Sequence, residues 1–180
     1  MTVSMQSQNK TRSKTYLIAM RALLVAAAMV LSWLEAQIPA FFAVPGIKLG
    51  LTNLVVLVAL YKVSELDAFV INLVRIFLVA FTFGSMVSLW YSIAGGVLSY
   101  AVMLFMKKTG KFSTMIVSVF GGVFHNVGQI AVAVLVLGSK YVLYYLPVLW
   151  ASGIAAGAVV GIICGLVIKK LPDNLFKNIR

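Results

Sequence analysis

The chain has 180 residues, of which 62% are hydrophobic and 11% are charged, and its formal net charge at pH 7 is +11. Soluble domains carry about 25% charged residues, so this chain has too few polar side chains to cover a soluble fold. Its basic residues stand in short clusters beside apolar runs, which is typical of membrane orientation signals and not of nucleic-acid binding. The composition therefore indicates an all-α, polytopic membrane protein without a nucleic-acid partner.

Six apolar segments follow one another along the chain, and short stretches that are charged or rich in Pro and Gly separate them. The first fourteen residues are polar and predict a disordered tail. The helices predicted after it cover about residues 16–34, 48–61, 68–83, 86–106, 113–137 and 147–170. We therefore expect a cytoplasmic tail (1–15), a domain of six transmembrane helices (16–170) and a second cytoplasmic tail (171–180).

The distribution of basic residues predicts the orientation of these helices. Twelve of the 15 Lys and Arg residues fall on one side if the N-terminus is placed in the cytoplasm, and the exceptions are Lys48, Arg75 and Lys140. Loops rich in Lys and Arg stay on the cytoplasmic side. We therefore expect both termini in the cytoplasm and a multi-pass protein of the bacterial cytoplasmic membrane.

Arg75 is the most unusual residue for a membrane helix, because it lies near the middle of the third segment, with Asn72 one turn before it. Charged groups at this depth are costly and are usually paired or functional. Two interpretations remain open. Arg75 either clamps helix-end carbonyls or Asn126, or it binds an anionic solute, since guanidinium groups pair with phosphate and carboxylate.

Three hydrogen-bonding side chains, His125, Asn126 and Gln129, fall within five residues of the fifth segment. His125 and Gln129 are four residues apart, so we expect them to share one helix face. The group indicates either contact with a substrate or hydrogen bonds between helices. No second His, acidic residue or Cys stands nearby at ligand spacing, so no metal site is predicted.

Polar residues also mark the outer ends of the first two segments. Lys48, Thr52 and Asn53 open the second segment, and Glu35 closes the first. Lys48 either reaches the lipid headgroups or faces a cavity, whereas we interpret Glu35 as a solvated residue or a partner of Lys48. If these side chains face one cavity, Lys48 and Arg75 outweigh Glu35, and the cavity favours an anionic ligand.

Four sequence segments carry a resemblance to a known family: PGIKLGLTNL (45–54), NLVRIFL (72–78), SIAGGVLSYAVM (92–103) and GGVFHNVGQI (121–130). They resemble the Gx transporter family, which is also described as heptaprenyl diphosphate synthase component I, and the resemblance covers about residues 16–170. The alanines of the first segment also resemble those in the S components of energy-coupling factor (ECF) vitamin transporters. Those S components have six helices, with both termini inside.

The resemblance implies a substrate-binding S component that works with a T component and two cytoplasmic ATPase subunits and needs no cofactor. Its solute would be vitamin-like and anionic, such as a flavin or an isoprenoid or quinone precursor. The implied lid loop contains Phe41, Phe42, Pro45 and Gly46, and the implied T-component contact is at Ala22 and Ala26. We assign solute binding to Lys48, Asn53, Asn72, Arg75, His125, Asn126 and Gln129.

Catalysis by this chain is not expected. The chain has four acidic residues, Glu35, Glu65, Asp67 and Asp173, and they form no aspartate-rich cluster of the kind that holds magnesium in prenyl diphosphate synthases. It also lacks a Walker A motif for ATP hydrolysis. The alternative function is therefore a non-catalytic membrane accessory subunit of a prenyl diphosphate synthase. A stand-alone carrier is disfavoured, because no intramembrane Asp or Glu is evident for ion coupling.

Overall fold

The computed structural model describes the backbone of residues 2–37, 49–172 and 175, and side chains within these ranges from residue 15 onward. The described chain is all-α. Its helices are α1 (Thr2–Gln37), α2 (Leu51–Lys62), α3 (Glu65–Thr82), α4 (Met86–Thr109), α5 (Thr114–Leu137) and α6 (Leu146–Lys170), and a 3-10 helix at Lys140–Tyr145 precedes α6.

Within the described residues, four stretches are long and apolar enough to cross a membrane: Thr15–Gln37, Met86–Thr109, Thr114–Leu137 and Lys140–Lys170. They indicate a membrane protein, as the composition predicts. Helix α2 is apolar but has only 12 residues, and the 18 residues of α3 include Glu65, Asp67 and Arg75. That α2 and α3 also cross the membrane, and that both termini are cytoplasmic, stay predictions.

Local sequence signals explain where most of the helices begin and end. The side chains of Ser64, Ser85 and Ser113 cap the first turns of α3, α4 and α5 by accepting backbone N–H groups. Gly110 and Gly138 end α4 and α5 in the left-handed conformation, with φ of +67° and +60°. The helix boundaries are therefore set largely by residues next to them in the chain.

Two boundaries differ from the sequence prediction. Helix α1 begins at Thr2, so the segment expected to be a disordered tail has a helical backbone. The physical reason is that residues 2–37 contain neither Pro nor Gly, and nothing in the local sequence ends the helix. Helix α3 begins at Glu65 and not at residue 68, because the Ser64 hydroxyl accepts the N–H of Asp67 at 3.0 Å.

Helix α2 lies at the centre of the bundle, and residues 55–60 are all buried. It packs against α1, α3 and α6, while α5 packs closely against both α4 and α6. A helix that is apolar all round belongs in such an interior position. Helix α1, by contrast, contacts mainly α2 and α3 and leaves most of its membrane-length stretch exposed.

The helix ends form two opposite faces of the bundle. The proximal end is where α2, α4 and α6 end and α3 and α5 begin, and the distal end is the opposite one. Polar contacts join helices at the proximal end: Lys107 Nζ donates to Leu60 O at 2.8 Å, and Lys62 Nζ donates to Leu171 O at 3.2 Å. Lys108 Nζ lies 3.1 Å from Glu65 Oε2. The orientation prediction places this basic end in the cytoplasm.

A buried carboxylate at the proximal end supports a first testable prediction. The Oδ1 atom of Asp67 lies 2.5 Å from Arg21 Nη2, and its Oδ2 atom accepts a hydrogen bond from Ser64 Oγ at 2.8 Å. The Asp67 side chain is 5% exposed. We expect Asp67→Asn to lower the free energy of unfolding by about 1–3 kcal/mol, because Arg21 loses its charged partner. Thermal unfolding in detergent measures this loss.

Glu65→Gln is the control for this substitution, because the lysine contacts of Glu65 are more exposed and are worth about 1 kcal/mol or less. Equal losses in the two variants would contradict the prediction.

Candidate functional site

A cavity of about 300 Å³ lies between the helices in the distal half of the bundle, and all six α-helices contribute to its wall. This volume is at the lower end of the range for small-molecule sites. Four of the predicted solute-binding residues line it: Asn53, Arg75, His125 and Asn126. The fold therefore brings together side chains from α2, α3 and α5 that lie far apart in the sequence.

Arg75 points its guanidinium group along α3 toward Asn72. Its Nε and Nη2 atoms donate to Asn72 Oδ1 at 3.3 and 3.0 Å, and Asn72 Nδ2 donates to Gly96 O of α4 at 3.1 Å. Asn72 is buried and lies behind the cavity wall, so it positions Arg75. The remaining nitrogen, Nη1, has no hydrogen-bond partner among the residues that the structure describes.

The proposed clamp between Arg75 and Asn126 is wrong. Asn126 lines the cavity, but its Nδ2 donates to Leu149 O at the start of α6 at 2.5 Å. This contact supports the interpretation of Asn126 as a residue that joins two helices. Arg75 instead uses the amide of its neighbour one turn earlier, because that oxygen is within reach on the same helix face.

His125 and Gln129 share one face of α5, as their spacing predicts. Gln129 Nε2 lies 3.2 Å from His125 Nε2. With the amide nitrogen as donor, Nε2 accepts and the ring proton is on Nδ1. The imidazole lies against Gly95 of α4, where a Cβ atom would come within 3.0 Å of His125 Cε1. His125 lines the cavity, whereas Gln129 is buried behind it and holds the ring.

The other predicted residues have different placements. Asn53 lines the cavity, and its Nδ2 is 3.6 Å from Met103 Sδ. Lys48 lies outside the described residues. Ala22 and Ala26 are on the exposed side of α1, away from the cavity. The implied lid residues, Phe41, Phe42, Pro45 and Gly46, also lie outside the described residues.

Glu35 lines the cavity as well, although the sequence interpretation did not assign it to solute binding. Its Oε1 accepts the backbone N–H of Gly50 at 2.6 Å, and Gly50 has a φ of +68° just before α2 begins. Glu35 also lines the cavity that Arg75 lines. It is therefore not simply a solvated residue at a helix end. The sequence signal for this role was that Glu35 is the one acidic residue in the segments predicted to lie on the outer side.

Hydroxyl groups supply most of the remaining polar lining. Ser32 of α1 and Thr52 of α2 form a buried hydrogen bond of 2.8 Å, and Ser88 and Ser92 lie one turn apart on α4. Ser118 of α5 is fully buried, and its Oγ has no hydrogen-bond partner in the described part of the chain. Single serines in apolar helices are common, so nothing in their sequence positions grouped them.

The arrangement suits the binding of a charged solute. Its described wall carries one cation, Arg75, one acid, Glu35, and the imidazole of His125. No three His, Cys, Asp or Glu side chains come together as metal ligands in the described ranges. The cavity can therefore bind a small molecule through hydrogen bonds and charge pairing.

Comparison with known proteins identifies a family. A family model described as heptaprenyl diphosphate synthase component I matches residues 24–167. No curated protein and no solved structure matches the chain. The matched range runs from within α1 to near the end of α6, so it includes every described residue of the cavity wall.

Proposed function

Because the chain belongs to the heptaprenyl diphosphate synthase component I family, we propose that it is a non-catalytic membrane subunit whose distal cavity binds a small solute. In this proposal the chain acts as the S component of an ECF-type transporter in the bacterial cytoplasmic membrane. The solute is vitamin-like and carries an anionic group, as a flavin or an isoprenoid or quinone precursor does. The observation that carries the proposal is the Arg75 guanidinium on the cavity wall.

Arg75 supports solute binding because of how it is held. A purely structural arginine in an apolar bundle would be expected to use all of its donors, since unsatisfied polar groups are costly there. Arg75 lines the cavity and donates from two nitrogens to Asn72, while Nη1 has no partner among the described residues. A carboxylate or phosphate accepting from Nη1 would complete its hydrogen bonding.

The solute-binding residues of this proposal are Lys48, Asn53, Arg75, His125 and Asn126, with Asn72 and Gln129 acting through Arg75 and His125. The positioning contacts of Asn72 and Gln129 support that division of roles. When neighbouring residues hold the ligand-binding side chains in place, the site keeps its geometry as a ligand binds.

Partners supply the energy in this proposal, because the sequence lacks a Walker A motif. They are a T component and two cytoplasmic ATPase subunits. The exposed side of α1 with Ala22 and Ala26 is the proposed contact, since small residues let membrane helices approach closely. The segment with Phe41, Phe42, Pro45 and Gly46 is the proposed lid, because it connects α1 to α2 in the sequence and both helices contribute to the cavity wall.

A second candidate function follows from the family description. The chain could act as an accessory membrane subunit of a prenyl diphosphate synthase, holding the catalytic component at the membrane. The matched family carries the name of a synthase component. This candidate gives the cavity and Arg75 no role, and that difference makes the two functions separable.

Purification from native membranes tests the proposal. The tagged chain is isolated in mild detergent, its protein partners are identified by mass spectrometry, and bound small molecules are detected by native mass spectrometry. We expect a T component, two ATPase subunits and one small anionic molecule to remain bound. Recovery of a prenyl diphosphate synthase subunit with no small molecule would instead establish the second candidate and refute the first.

A further inference from the structure

We propose that the cavity selects a zwitterionic solute, whose anionic group pairs with Arg75 and whose protonated amine pairs with Glu35. This inference rests on the proposed function and narrows its substrate class. It starts from a feature that simple anion binding does not explain, namely that an acid lines the same small cavity as the arginine.

Within the described ranges, Arg75 and Glu35 each keep one polar atom without a hydrogen bond. Arg75 uses Nε and Nη2 on Asn72, and Glu35 uses Oε1 on the N–H of Gly50. In the part of the chain that the structure describes, Arg75 Nη1 and Glu35 Oε2 have no hydrogen-bond partner. Among the described residues, the cavity therefore presents one positively charged donor and one negatively charged acceptor without a hydrogen-bond partner.

Arg75 and Glu35 do not form an ion pair with each other. The ion pairs found within the described ranges involve Arg21, Lys107 and Lys108, and Arg75 is in none of them. Asn72 holds the guanidinium on α3, and the start of α2 holds the carboxylate. Opposite charges that form no ion pair in an apolar bundle are costly, and a solute that bridges them would remove this cost.

The signs of the two charges narrow the class of solute further. Among the described wall residues, a purely anionic solute is attracted by Arg75 but repelled by Glu35, whereas a zwitterion of matching length is attracted by both. The volume of about 300 Å³ favours a small molecule over a dinucleotide. The inferred class is therefore a small, vitamin-like amino acid or a derivative that keeps both charges.

The experiment uses the full chain in lipid nanodiscs and two matched series of probes. The first series consists of ω-amino carboxylates of increasing chain length, and the second of unsubstituted carboxylates of the same lengths. Calorimetry gives the affinity of each. At the best length, we expect the ω-amino compound to bind about tenfold more tightly than its unsubstituted match, because one charge-assisted hydrogen bond is added.

Variants assign that preference to Glu35. Glu35→Gln is expected to abolish the roughly tenfold preference while unsubstituted carboxylates still bind, which also reports that the variant is folded. Glu65→Gln is the matched control, because it removes a carboxylate at the proximal end, outside the cavity wall. It should leave the preference unchanged.

The outcomes separate the two proposals. If unsubstituted carboxylates bind wild-type protein as tightly as ω-amino carboxylates, the zwitterion inference is overturned and solute binding stands. The same holds if Glu35→Gln keeps the preference. If neither series binds, the proposed function falls as well. Should Glu35→Gln fail to fold, the comparison of the two series on wild-type protein still decides the inference.

Discussion

Replacing Arg75 with Gln is expected to weaken the binding of carboxylate solutes by about 10- to 100-fold while the protein stays folded. The guanidinium is the one cation on the described cavity wall, and its Nη1 is the donor left for a ligand. Gln keeps a neutral hydrogen-bonding group on a shorter side chain and removes the charge that attracts an anion. Calorimetric titration in nanodiscs measures the change.

The matched control for this substitution is Lys140→Gln, which removes an exposed positive charge from the 3-10 helix before α6. Because Lys140 is outside the cavity wall, its loss should leave the affinity nearly unchanged at physiological ionic strength. An Arg75→Gln protein that is monodisperse and retains wild-type affinity would remove Arg75 from the site, and with it the main support for solute binding.

The second large effect concerns two glycines, one turn apart, on the same face of α6. A Cβ atom at Gly161 would come within 2.6 Å of Met115 Cα in the backbone of α5, whereas at Gly165 no atom lies within 4 Å. Gly161→Ala must push α5 and α6 apart, and we expect it to lower the free energy of unfolding by about 1–3 kcal/mol. Thermal unfolding in detergent measures this effect.

Gly165→Ala provides the comparison, because the same change there meets open space and alanine favours a helix over glycine by up to about 1 kcal/mol. We therefore expect unchanged or slightly raised stability in Gly165→Ala. Similar losses in both variants would show that the close approach of α5 and α6 is not what Gly161 provides.

Helical segments and their ends could largely be predicted from the sequence. Helices α4, α5 and α6 begin within one residue of their predicted starts, because serine caps and Pro147 act on their own neighbours. Contacts within one helix were also within reach. Gln129 meets His125 because a spacing of four residues places two side chains on one face.

Contacts between helices were not predictable in the same way. Asn126 bonds to Leu149 O, 23 residues away, and Ser32 bonds to Thr52, 20 residues away. Each contact depends on how two helices are rotated and shifted against each other. The sequence of an apolar helix leaves that rotation open when its apolar residues run all the way round.

The sequence by itself determined that this protein is helical and apolar enough for a membrane, and it marked Arg75 and His125 as unusual. Only the tertiary structure decided that both side chains line one cavity, that Asn72 and Gln129 hold them from behind, and that Glu35 joins them there. The physical reason is range: hydropathy and helix caps act over a few neighbouring residues, whereas a cavity exists only after the helices have packed.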